Sequence, residues 1–90
     1  MTQENLYRIE RKPEVLHRTG FSRSVLYSRV QQLLFVPPVS LGGERAVGWV
    51  SCEVDKVMAA YIAGHSKTEI QSLVTQLIAQ RKNAMGVING

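Results

Sequence analysis

Arg23, Ser24, Tyr27, Ser28 and Gln31 recur three and four residues apart, the spacing that brings side chains to one side of a helix. All are short or planar hydrogen-bonding groups, and no acid stands among them. A merely solvated helix face mixes Glu with Lys, so this one is suited to lie against an anion. Ser22 opens the segment. Arg23 offers a planar fork that fits a phosphate or a guanine edge. Arg29 is either a second phosphate clamp or a solvated arginine. Tyr27 is read with its ring half buried and its hydroxyl turned toward phosphate.

Other chemistry finds no footing. Glu53 and Asp55 lie two apart on a helical stretch and point in different directions, which makes no general acid–base pair. His17, His65 and Cys52 are isolated from one another, without the spacing of metal ligands. Gly42-Gly43 is not followed by Lys-Ser/Thr and opens no helix, so it reads as a hairpin turn rather than a phosphate-cradling loop. No nucleophile stands beside a base. The chain reads as a non-enzyme with no metal or cofactor.

The binding side chains need a helix to carry them and a scaffold behind it. Residues 13–30 read as helix, turn, helix. Pro13 takes the first helical position, with Glu14 complementing the dipole in the first turn. Val15 and Leu16 are its buried residues, and Gly20 ends it. Ser22 caps a second helix over residues 22–34, and Phe21 with Leu26 can form a hydrophobic staple. Val25, Leu26, Val30, Leu33 and Leu34 face inward, and Pro37-Pro38 stops the helix.

Val39-Ser40-Leu41 and Ala46-Val47-Gly48-Trp49-Val50 then form a β-hairpin, the paired glycines supplying positive φ at the turn. Arg45 sits near the tip, on the side of Val47 and Trp49 by strand parity, and Trp49 belongs to the core. Ser51 caps a third helix that ends at Gly64, with Val54, Val57, Met58, Tyr61 and Ile62 buried. Ser66-Lys67-Thr68-Glu69 is a capping box opening a fourth helix with Ile70, Leu73, Val74, Leu77 and Ile78 on one face. Residues 1–5 read as frayed, Leu6, Tyr7 and Ile9 as an extended lead-in, and the stretch beyond Arg81 as disordered.

The fold class is therefore mainly α with a small β-hairpin wing: a winged helix-turn-helix plus an additional C-terminal helix. Residues 1–64 form the binding domain. Residues 65–90 form the last helix and tail, as part of the same domain or as a dimerisation element. The fourth helix adds five large aliphatics after the third has covered the fold, so self-association is favoured as their cover.

Ninety residues make one small domain, and 44% apolar content allows a real core. The net charge of +4 is unevenly placed. From residue 8 to 45 there are seven bases (Arg8, Arg11, Lys12, Arg18, Arg23, Arg29, Arg45) against three acids (Glu10, Glu14, Glu44); from 46 onward there are four against three. The surplus coincides with the helix-turn-helix and raises the odds of a polyanionic partner. No apolar run reaches the roughly 18 residues of a membrane span, and no signal peptide is recognised. A lone Cys52 excludes an internal disulfide and suits a reducing cytoplasm.

The residues also resemble a family. Lys12-Pro13-Glu14-Val15-Leu16, then Thr19-Gly20-Phe21-Ser22-Arg23-Ser24-Val25-Leu26-Tyr27, then Leu41-Gly42-Gly43-Glu44-Arg45-Ala46-Val47-Gly48-Trp49 and Glu53-Val54-Asp55 are together similar to the AlpA family of prophage regulators. These are relatives of the MerR-like winged helices and of phage excisionases. The likeness runs over residues 8–63, with turn, wing and helix start in the same order. It implies a bacterial, nucleoid-associated DNA-binding protein of a prophage or genomic island, acting as an excisionase or as a regulator of an integrase gene. By position, Ser22, Arg23, Ser24, Tyr27 and Ser28 match the recognition helix and Arg45 the wing. The helix from Ser66 onward departs from the many relatives that end soon after the third helix.

The leading expectation is sequence-specific binding of double-stranded DNA by Ser22, Arg23, Ser24, Tyr27, Ser28, Arg29, Gln31 and Arg45, as a homodimer or as adjacent copies. The alternative is a protein-interaction module whose residues 66–85 bind an integrase or another regulator. Steep salt dependence separates the first from the second.

Overall fold

A computed structural model describes residues 8–83. The expectations for residues 1–7 and 84–90 fall outside them. Among the described residues the chain forms β1 (Ile9–Glu10), α1 (Lys12–Thr19), α2 (Arg23–Gln31), β2 (Val39–Ser40), β3 (Val47–Val50), α3 (Ser51–Ile62) and α4 (Lys67–Gln80). This is the mainly helical fold with a small β wing that the sequence predicts.

The wing gains a strand. β1 pairs antiparallel with β3, Ile9 opposite Val50 and Glu10 opposite Trp49. β2 pairs with the other edge of β3, Val39 opposite Gly48 and Ser40 opposite Val47. Ile9 and Glu10 thus form one edge strand of a three-stranded sheet ordered β1-β3-β2. Gly42 takes φ 100 at the turn and Gly43 does not take positive φ. The loop is wider than a two-residue hairpin, closed by the Leu41 N–H donating to the Ala46 carbonyl at 2.6 Å.

Trp49 is fully buried, and its indole N–H donates to the Val36 carbonyl at 3.0 Å. Around it one core gathers Val15 of α1, Leu26 of α2, Val54 and Val57 of α3, and Phe35 and Val36 of the connector. Phe21 meets Phe35 edge-on at 5.9 Å between ring centroids and Tyr61 at 6.4 Å. Its aromatic partners therefore come from distant segments.

Two boundaries and the facing of several apolar residues differ from the periodic reading. α2 is nine residues long and ends at Gln31. Leu33 adopts φ 61, its N–H bonds to the Val30 carbonyl, and the Leu34 N–H bonds to the Arg29 carbonyl. That is a Schellman ending with leucine in the place usually held by glycine. Leu33 is consequently exposed, while Leu34 is buried in the connector; Val25 is exposed because it lies about 100° around α2 from the buried Leu26. In α3, Ser51 is the first helical residue rather than the cap, which is Val50. Ile62 is 83% exposed, because the last turn carries it about 80° from Val54 and about 140° from Val57. Ala60 is buried in its place.

α4 opens on the capping box, Ser66 accepting from the Glu69 N–H and Glu69 accepting from the Ser66 N–H. Its apolar stripe is turned into the chain's own core. Ile70, Val74 and Leu77 are buried there, and Leu73 and Ile78 pack against it. The sequence favours a second copy as their cover and leaves packing on the same domain open; within this chain three of the five are buried and two pack against the core. At the far end Arg81 grips the buried Glu53, with Nη2 at 2.6 Å from Oε1, and donates to the Pro37 carbonyl at 2.8 Å. No helix among the described residues is long and apolar enough to cross a membrane.

A Cβ added at Gly48 would clash with Ile9 Cγ2 and stand 3.1 Å from the Glu10 carbonyl. Gly48→Ala is therefore expected to destabilise by about 1–3 kcal/mol in denaturant unfolding; an unchanged midpoint would contradict the β1–β3 packing. The Ser66 N–H, against opposing desolvation and with help from the Ser66 hydroxyl and His65, holds the Glu69 carboxyl below its ordinary pKa. The stability it adds is present above the unfolded glutamate pKa and is lost as pH falls through the lower folded value. Thermal melts should show wild type and Glu69→Gln converging in acid, and a gap constant with pH would contradict this.

Candidate nucleic-acid interface

The seven cations between residues 8 and 45 divide into three groups. Arg8 pairs with Glu14, and Arg18 pairs with both Glu10 and Asp55. The hydrogen bond to Asp55, reinforced by Glu10 against partial burial, raises the Arg18 pKa above its ordinary value. Arg29 forms the second group. Its Nη1 donates to the Tyr61 hydroxyl at 3.0 Å, and its guanidinium lies 5.2 Å from the Phe21 ring centroid and 5.7 Å from that of Tyr61. The Tyr61 hydroxyl in turn donates to the Leu34 carbonyl at 2.6 Å.

Arg11, Lys12, Arg23 and Arg45 make up the third group. They line one groove of about 500 Å³ with Pro13, Leu16 and Val47. No acid lines it, and none of the four forms an ion pair among the described residues. Arg11 stands at the N-cap of α1 with Lys12 next to it. Arg23 opens α2, and Arg45 closes the wing loop. Three separate elements therefore deliver like charges to one concavity. Among the described residues no ion pair offsets their mutual repulsion, as an external anion would.

Beside the groove runs the open side of α2. At about 100° per residue, Arg23, Tyr27, Gln31, Ser24 and Ser28 follow one another around that side, and all five are exposed. Ser22 is occupied as the N-cap, accepting from the Val25 N–H at 3.2 Å. Ser28 accepts from the Gln32 amide at 2.8 Å, which leaves its own proton free to donate outward. Tyr27 is 43% exposed, with Lys12 Nζ 4.8 Å from its ring centroid. The groove and this side are thus joined through a cation resting on an aromatic ring.

The structure brings together Arg23, Ser24, Tyr27, Ser28, Gln31 and Arg45 as the spacing suggests. It turns Arg29 the other way, onto Phe21 and Tyr61, because position 29 falls opposite the open side of the helix. Arg11 and Lys12 were counted in the basic surplus but not placed at the site. The signal for them is a basic pair just before the helix-starting proline, at the end of α1 that faces the wing.

Compared with known proteins, residues 8–62 match the family model described as prophage CP4-57 regulatory protein (AlpA). The chain is 43% identical over 67 residues, 74% of its length, to the uncharacterized protein ORF88 of Enterobacteria phage P4, covering 72% of that protein. No solved structure is significantly similar.

Arg29→Ala is expected to lower stability by about 1–2 kcal/mol through loss of the stacking and of the bond to Tyr61. Arg45→Ala should leave it within about 0.5 kcal/mol. Paired unfolding curves check both, and equal effects would mean that the two arginines are not so divided.

Proposed function

The chain belongs to the AlpA family of prophage regulatory proteins, and from that premise we propose that its basic groove and the open side of α2 bind double-stranded DNA. One observation carries the reading: four cations from three elements line an acid-free groove beside an exposed polar helix side. α2 enters the major groove, where Arg23 takes a guanine edge or a phosphate and Ser24, Tyr27, Ser28 and Gln31 meet bases or backbone. Arg45 at the wing tip reaches the adjacent phosphates or minor groove. Arg11 and Lys12 hold the backbone alongside, fixing register without reading sequence.

A single module of this size buries about 600–1,000 Å² on DNA, so tight and specific binding calls for adjacent copies on repeated sites. The protein acts in a prophage or genomic island, as an excisionase or as a regulator of an integrase gene. The reading in which α4 captures an integrase loses its apolar surface, since Ile70, Val74 and Leu77 lie in the core.

Footprinting on the attachment site and on the integrase promoter of the encoding element separates the two roles. On whichever duplex is protected, Arg23→Ala is expected to weaken binding by about 1–3 kcal/mol in a titration at fixed salt. Unchanged affinity would remove Arg23 from the interface.

A further inference from the structure

A second basic groove, of about 370 Å³, opens where α2, α3 and α4 meet. Arg29, His65 and Lys67 line it, with Gln32 and Tyr61 between them. No acid lines this groove either. Glu69, close by in sequence, is engaged by the capping box, accepting the Ser66 N–H at 2.7 Å. Arg29, His65 and Lys67 form no ion pair among the described residues.

A hydrogen bond links this groove to the open side of α2. Gln32, which lines it, donates its side-chain amide to Ser28 of that side at 2.8 Å. The Gln32 carbonyl accepts from the Gln71 amide of α4 at 2.8 Å, which ties α4 to the end of the helix. Arg23 opens α2 and lines the first groove, while Arg29 and Gln32 close α2 and line the second. The shortened helix makes this placement meaningful. Its nine residues span about 13 Å at 1.5 Å per residue, close to the about 12 Å width of the DNA major groove.

We infer that the second groove clamps the phosphate backbone across the major groove from the one held by Arg11, Lys12, Arg23 and Arg45. Lys67 is its charge contact, and Arg29 keeps the local potential positive while bracing Tyr61. The inference rests on the DNA reading and adds α4 to the contacting elements. Two clamps, one beyond each end of α2, fix how far the helix slides along and across the groove.

The test is the salt dependence of duplex binding by the full chain. A protein neutralising Z phosphates shows a slope of log K against log salt of about −0.9Z. Lys67→Gln changes an exposed residue and leaves Ser66 and Glu69 in place. It is expected to reduce the slope by about one and to weaken cognate and unrelated duplexes by the same factor, with the melting temperature unchanged. Arg45→Gln, run alongside, probes the first groove. If Arg45→Gln reduces the slope and Lys67→Gln does not, the second clamp is overturned and the DNA reading stands. If the wild-type protein binds duplex DNA without salt dependence, or not at all, both fall.

Discussion

Glu10 sits on β1 with its side chain wholly removed from solvent. A buried carboxylate is tolerated only where it is paired and hydrogen-bonded. Here Arg18, from the last turn of α1, pairs with it, and the Ser51 hydroxyl at the start of α3 donates to Oε2 at 2.7 Å. Arg18 continues to Asp55 on α3. One charge thus joins the outer strand of the wing, the end of the first helix and the beginning of the third. Oε1 has no partner among the described residues, so Arg18 and Ser51 carry the whole compensation. With α1 pinned at Arg18, its opposite end, bearing Arg11 and Lys12, is held against Arg45 of the wing and Arg23 of α2.

That junction explains why the basic surplus is not a uniform coat of charge. Arg8, Arg18 and Arg29 have internal tasks, two in ion pairs and one against aromatic rings. Removing them from consideration leaves a compact set rather than a scattered one. The remaining four converge although α1, α2 and the wing are distant in sequence. Proteins disperse like charges unless something outside the chain balances them, and the convergence sits beside a helix side free of acids. On the reading developed above, both facts have one cause: the polyanion that the surface is shaped to meet.

Local signals were legible because local physics sets them. Ser22 and Ser66 cap their helices, Gly20 ends α1 in the left-handed region, and Trp49 lies in the core. Each depends on its near neighbours or on simple burial. What escaped was settled by distant partners. Glu10 looked like an ordinary acid in a lead-in, and only Arg18 and Ser51 make its burial possible. The sequence leaves Arg29 between a phosphate clamp and a solvated arginine, since the surplus counts charge and not direction. The end of α2 was misplaced because Leu33 adopts a conformation that favours glycine, and the helical pattern of apolar residues runs on past it. The sequence favours a second copy over the stripe of α4 because five aliphatics look like more than one small core could cover. The core has room because the connector and α3 leave a side open, and Arg81 on Glu53 and Pro37 closes α4 over it.

The most direct measurement is a backbone amide NMR titration of the protein with a duplex protected in footprinting. The account predicts that the largest shifts fall at Arg11, Lys12, Arg23, Ser24, Tyr27, Ser28 and Arg45, with the outer side of α3 at Ala59 and Ile62 unmoved. Shifts gathered at Ala59 and Ile62, with the amides of Arg23 and Arg45 unchanged at saturation, would contradict it.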